Sequence, residues 1–314
     1  MSQDFSLKLD NKIKSKFSNT MKNIYKYKAS YLFIAPFAVI FLIFTLLPVI
    51  IAIFLSFTSF NVLQPPVFIG LENYRRLFFE DKIFLIAIKN TFIFAVVTGP
   101  VSYLLCLMVA WFVNELTRKM RTFMTMLFYA PALAGFASIS IWLLIFSGDQ
   151  YGLLNSVLMY SGVTHAPINW LNDPHYMHGV IIFVVLWSSL GQGFLAFIAG
   201  FKNVDRMLYE AGAVDGVKNR YQELWFITLP AMKGQLMFGA IISITASFQI
   251  GDIITMLCGF PSSNYAAHTI MNHLQDYGFI RLEMGYACAI ATILFIVMVG
   301  SNKFVQNLLS KVGV

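Results

Sequence analysis

Few side chains in this 314-residue chain are equipped for chemistry, and they sit in two apolar stretches. Trp187, Ser188, Gln192 and Gly193 interrupt one of them, and Phe248, Gln249 and Asp252 fall at i, i+1 and i+4 in the other. Aromatic faces with amide, hydroxyl and carboxylate partners hold a polyhydroxylated solute such as a sugar without making or breaking bonds. The same Ser and Gln residues also read as hydrogen-bonding glue between helices. Asp252 serves equally as a pathway carboxylate or as an anchor at a membrane interface. Bond-making chemistry finds no frame. His268 and His273 are five apart without HExxH, and Cys106, Cys258 and Cys288 form neither CxxC nor metal spacing. There is no G-x-x-x-x-G-K-[ST] cradle for a nucleotide. The expectation is no catalytic residue, no metal and no cofactor bound by this chain.

The elements that must position those residues follow from composition. The chain is 58% apolar and 12% charged, where a soluble domain carries about 25% charged residues. Lipid is its natural solvent. The net charge of +7 lies between the apolar runs and not on one basic face, which argues against nucleic acid. Six runs are long enough to cross the hydrocarbon: Tyr31–Phe57, Thr91–Val113, Phe123–Phe146, Gly179–Phe201, Leu236–Leu257 and Met284–Asn302. Pro36, Pro48, Pro100 and Pro131 mark kinks in them. Seven lysines precede the first run, which is too long for a cleaved signal peptide and has no A-x-A at its end, so it reads as a retained anchor. Seventeen Lys and Arg fall in the tails and even-numbered connections against five in the others, which predicts both termini in the cytoplasm. The connections 58–90 and 147–178 suit short surface helices or a docking rim for an external partner. Residues 1–30 then form a basic cytoplasmic tail and 31–310 a six-helix membrane domain.

Residues 202–235, the longest connection on the cytoplasmic side, have a pattern of their own. Asn203 is placed to cap a helix whose first turn carries Asp205, and Val204, Leu208 and Ala211 at i, i+4 and i+7 give it an apolar face. Gly212 and Gly216 interrupt, and Gly216 suits a left-handed helix end. A second helix can start at Asn219, with Gln222 in a capping-box position, and Pro230 leads into the fifth run. The result is a helix–turn–helix elbow at the membrane face. An amphipathic pair resting on lipid headgroups is the competing reading, but Glu210 and Asp215 stand where such a stripe would carry lysines.

The run Glu210-Ala-Gly-Ala-Val-Asp-Gly216 followed by Ile227-Thr-Leu-Pro230 resembles the EAA signature of permease subunits of binding-protein-dependent ABC importers. Gly70-Leu-Glu-Asn-Tyr74, Asn90-Thr91, Gly152-Leu-Leu-Asn155 and Gly285-Tyr-Ala287 extend the resemblance over essentially the whole chain. Together they look like the carbohydrate-uptake permeases related to the maltose and glycerol-phosphate systems. The sequence departs from that pattern twice: Gly212 stands at the second alanine, and ten residues instead of nine separate Gly216 from Ile227.

The resemblance implies an all-α membrane protein of the type I ABC importer permease fold, in a bacterial plasma membrane. It implies a coupling helix at Glu210, Ala211, Gly212, Asp215 and Gly216, seated on a separate ATPase. The implied assembly contains a second, homologous permease, two ATP-binding subunits that use ATP and Mg, and an extracytoplasmic solute-binding protein. It also implies that the helices carrying Trp187, Ser188, Gln192, Phe248, Gln249 and Asp252 line the solute pathway. An autonomous secondary transporter is the alternative, but the inverted repeats and paired interior charges that it needs are not evident.

Overall fold

The computed structural model describes residues 26–310, and regular structure among them is almost entirely helical. Most of the expected basic tail, up to residue 25, and Lys311 lie outside the described residues. The described chain divides into two units, one ending at Phe54 and one starting at Leu55.

The first unit is the body of helix α1, Lys28–Leu55. A π-turn at Leu42–Leu46 interrupts its α-helical ladder. The turn precedes Pro48, whose missing N–H and bulky ring disturb the carbonyl four residues back. No residue of Lys28–Leu47 is buried, and Phe33, Phe37 and Phe44 are largely exposed.

The second unit begins with a two-residue antiparallel pair, β1 (Thr58–Ser59) with β2 (Val67–Phe68), and then helix α2 (Glu72–Phe79). Helix α3, Lys82–Glu115, is its axis. Its 34 residues extend for about 51 Å at 1.5 Å per residue. It contributes to all three apolar clusters: Phe94 to the first, Phe84, Ala87 and Ala95 to the second, and Cys106, Ala110 and Val113 to the third. It starts nine residues before the expected Thr91 because Asp81 caps it, accepting the Phe84 N–H at 3.0 Å.

All but the last of the remaining membrane-length elements are broken. Helices α4 (Arg118–Ala134) and α5 (Ile139–Ile145) are joined by a 3₁₀ turn, Gly135–Ser138, in which Gly135 has φ +53°. A short helix, α6 (Leu153–Tyr160), follows. Helices α7 (Pro174–Ser188) and α8 (Gln192–Asn203) meet at 41°. Helix α9 (Arg206–Val214) leads to α10 (Arg220–Ala231), which bends by 82° into α11 (Lys233–Phe248). Then come α12 (Gly251–Cys258), α13 (Ile270–Gln275) and α14 (Met284–Leu309). Among the described residues four helices are long and apolar enough to cross a membrane, and the two bent pairs bring the number to six if each is one span. The expected fifth run is not continuous. It stops at Phe248 and restarts at Gly251, so Phe248, Gln249 and Asp252 do not share one helix face.

Candidate coupling segment and solute pathway

Segment 202–235 folds as a helix, a left-handed turn and a second helix. Asp205, and not Asn203, caps α9, accepting the Met207 N–H at 3.0 Å. The apolar face is also redistributed. Tyr209 and Gly212 turn inward, the Tyr209 hydroxyl lying 2.8 Å from Thr228 Oγ1, whereas Leu208, Ala211 and Val214 are exposed. Gly212 is buried, and a Cβ there would meet Ile227 Cδ1 at 2.5 Å. The small residue at this departure from the signature therefore makes room for the isoleucine of the same signature. Gly216 has φ +94°, a conformation that side chains resist. Asn219 caps α10 by accepting the Gln222 N–H at 2.9 Å, while Gln222 Oε1 accepts from Lys218 N and not from the cap residue. Within α10, Glu223–Thr228 is a π-turn, which contains Ile227. Glu210, Asp215, Met207 and Val214 all face outward, Val214 at 88% exposure.

The pathway candidates are only partly brought together. Trp187 lines a cleft of about 840 Å³ with Phe128, Pro131, Ser138 and Phe183, between α3, α4, α5 and α7. Phe248 is buried and lines a different cleft, about 520 Å³, between α3, α11 and α14. Ser188 Oγ donates to its own helix at Val185 O. Asp252 accepts from Gln275 Nε2 at 2.6 Å, so this carboxylate ties α12 to α13. Gln192 and Gln249 are exposed, each at a helix break: Gln192 opens α8, and Gln249 closes α11.

Residues 92–302 match the family described as binding-protein-dependent transport system inner membrane component. The chain belongs to this family. It is similar to the Arabinooligosaccharides transport system permease protein AraP of Bacillus subtilis (strain 168), 33% identical over 87% of this chain and 86% of the relative. The Probable ABC transporter permease protein YesP of the same organism is 31% identical over 86% of each chain. In fold it resembles a chain from the crystal structure of a bacterial ABC transporter involved in the import of the acidic polysaccharide alginate. That match has a TM-score of 0.73 and 22% identity, covering 94% of this chain and 99% of the other. The protein is thus a multi-pass inner-membrane transport component with the type I ABC importer permease fold.

In this permease the remaining motif residues are clamps on irregular backbone. Asn73 Nδ2 donates to the carbonyls of Ser56 and Thr58, each at 2.9 Å. Asn155 Nδ2 holds three carbonyls of the 147–168 region, and its Oδ1 accepts from Ile168 N and the Trp170 indole. Asn90 Nδ2 reaches the carbonyls of Tyr265, Ala266 and His268, and Thr91 Oγ1 accepts from Ile270 N. Gly285 lets β1 approach α14, its N–H donating to Phe60 O at 3.0 Å where a Cβ would strike Thr58 O. A buried backbone group without a partner is costly, and one carboxamide satisfies several at once.

Sequence reasoning missed the polar knot at the α3 end opposite the coupling segment. Asp81 Oδ2 lies 3.0 Å from His273 Nε2 and accepts from the Tyr286 hydroxyl at 2.9 Å, and His273 Nδ1 is 3.3 Å from His268 Nε2. Burial pushes the Asp81 carboxyl up, but the His273 hydrogen bond, the Phe84 N–H and the Tyr286 hydroxyl together hold it well below the usual carboxylate range. Burial, aided by neighbouring His273, pushes the His268 imidazole down to about 4. Arg76 pairs with Glu283 at 2.6 Å and lies over the Tyr286 ring. The Asp81 cap was open to sequence reading; its pairing with a histidine 192 positions away was not. Among the described residues no group of three His, Cys, Asp or Glu side chains could hold a metal ion.

Proposed function

We propose that this permease conducts a carbohydrate through six spans, with both termini in the cytoplasm, as one of two homologous membrane subunits of an ABC importer. An extracytoplasmic binding protein delivers the solute. Two ATP-binding subunits, which use ATP and Mg, drive the cycle through Glu210, Ala211, Gly212, Asp215 and Gly216. This chain itself catalyses nothing and binds no cofactor.

The observation that carries the reading is the face of α9. Met207, Leu208, Ala211 and Val214 project outward beside Glu210 and Asp215, on a nine-residue helix ending in a glycine turn. Such a face gains by docking in a protein cleft whose basic groups meet the two carboxylates. The carbohydrate rests on the similarity to the arabinooligosaccharide permease AraP and on Gln192 and Gln249. A carboxamide at hydrocarbon depth has no lipid partner, so these two belong to a face covered by water or by the second permease.

Mild extraction of tagged permease, expressed with its neighbouring transport genes, is expected to bring down ATP-binding subunits, and Glu210→Lys with Gly216→Val is expected to release them. Recovery of the permease alone from wild-type membranes would overturn the reading. Uptake that survived ATP depletion and collapsed with the proton gradient would favour an autonomous secondary transporter.

A further inference from the structure

Arg220, the first residue of α10, stands between the proposed coupling segment and the end of the axial helix α3. Its Nη1 lies 2.9 Å from Glu223 Oε2, and its Nη2 lies 3.5 Å from Oε2 of Glu115, the last residue of α3. Beside this bridge the Tyr221 ring meets Trp111 of α3 edge-on, with centroids 5.5 Å apart. The Arg220 bridge borders a cavity of about 190 Å³, walled by Trp111, Asn114 and Glu115 on one side and by Tyr209, Glu223 and Thr228 on the other. The receiving end is braced as well. Arg121 Nη2 donates to the carbonyls of Asn114 at 2.6 Å and Leu116 at 3.1 Å, closing the corner where α3 turns into α4.

We propose that Arg220 is a positioning residue that carries movement of the coupling segment into the α3–α4 corner, by bridging Glu223 to Glu115. The inference rests on the coupling reading above. Tyr209–Thr228 and Gly212–Ile227 bind the segment to itself, so they travel with it. The Arg220 bridge crosses to a different element. A guanidinium fork suits the task because two carboxylates engage separate nitrogens in fixed geometry. Because α3 joins all three apolar clusters, a displacement at Glu115 reaches the lining of both clefts. An exposed ion pair contributes little to folding. Its value here lies in which two bodies it joins.

The test uses the assembled transporter in nanodiscs, with spin labels at positions 218, exposed in the turn of the segment, and 118, and with ATP plus orthovanadate as the probe. In wild type the two labels are expected to move together, keeping one distance peak on trapping. Arg220→Gln is expected to shift or broaden that peak on trapping while retaining the ATP-binding subunits. Arg220→Glu should do the same, and adding Glu115→Arg should restore the wild-type peak. Trapped distances in Arg220→Gln identical to wild type, with the ATP-binding subunits retained, would overturn the strut. Failure of the charge swap to restore the peak would do so as well. Wild-type permease that carries no ATP-binding subunit would instead overturn the coupling reading.

Discussion

Replacing Gly216 tests the coupling segment through backbone strain alone. Its φ of +94° lies where L side chains are disfavoured, and no atom lies within 4 Å of the position a Cβ would take. The whole cost of Gly216→Ala is therefore conformational, about 1–2 kcal/mol for a left-handed non-glycine residue. Applied to the turn, a cost of that size lowers the share of correctly shaped segment by a factor of roughly 5–30. Asparagine visits the left-handed region more readily, and a β-branched residue hardly at all. Solute uptake by membrane vesicles containing the full transporter is thus expected to fall in the order Gly, Asn, Ala, Val, with retention of ATP-binding subunits following the same order. Gly212→Ala is the contrast. Its Cβ would meet Ile227 Cδ1, the tip of a flexible side chain, so the loss should be smaller, and Ile227→Val, which deletes that atom, should reverse it. Equal uptake by the Ala and Val variants at 216, or no rescue at 212, would refute the reasoning.

Three further outcomes are expected. Asn90→Ala should lower the thermal unfolding midpoint in detergent, since each buried carbonyl left without its donor costs about 1–3 kcal/mol. Asn90→Asp should lower it at least as much because an ionised carboxylate donates nothing to the carbonyls of Tyr265, Ala266 and His268; a milder Asp variant would contradict the clamp. His268, faced by His273, Asp81, Asp276 and Arg281, has its folded-state pKa depressed to about 4. The stability it contributes is present above the unfolded value of about 6.5 and lost as pH falls toward 4, about 2 kcal/mol by pH 5. Asp81, held below the carboxylate range, adds its own loss only below about pH 4. The midpoint should therefore drop between pH 7 and 5 in wild type and drop less in His268→Gln; equal drops would exclude His268 as the source. Gln192→Leu with Gln249→Leu should leave the midpoint intact and reduce uptake, and full uptake would remove these residues from the pathway.

Much of the fold was legible because membrane solvation is a coarse filter. A chain with long apolar runs, each needing its backbone paired internally, can only be helical there. The Gly216 turn and the cap at Asn219 were equally legible, since both depend on nearest neighbours. Sequence periodicity failed where tertiary packing chose the face. Tyr209 and Gly212, not Leu208 and Ala211, turn inward because Thr228 and Ile227 stand opposite them. The break at Gln249–Ile250, the capture of Asp252 by Gln275 and the separation of Trp187 from Phe248 depend on neighbours far along the chain. The sequence by itself determined that this is a helical membrane permease with a small-residue turn. Only the tertiary structure decided which polar groups remain free for a solute and which are spent on other backbone, because a hydrogen bond between residues 90 and 268 or 81 and 273 has no periodic signature.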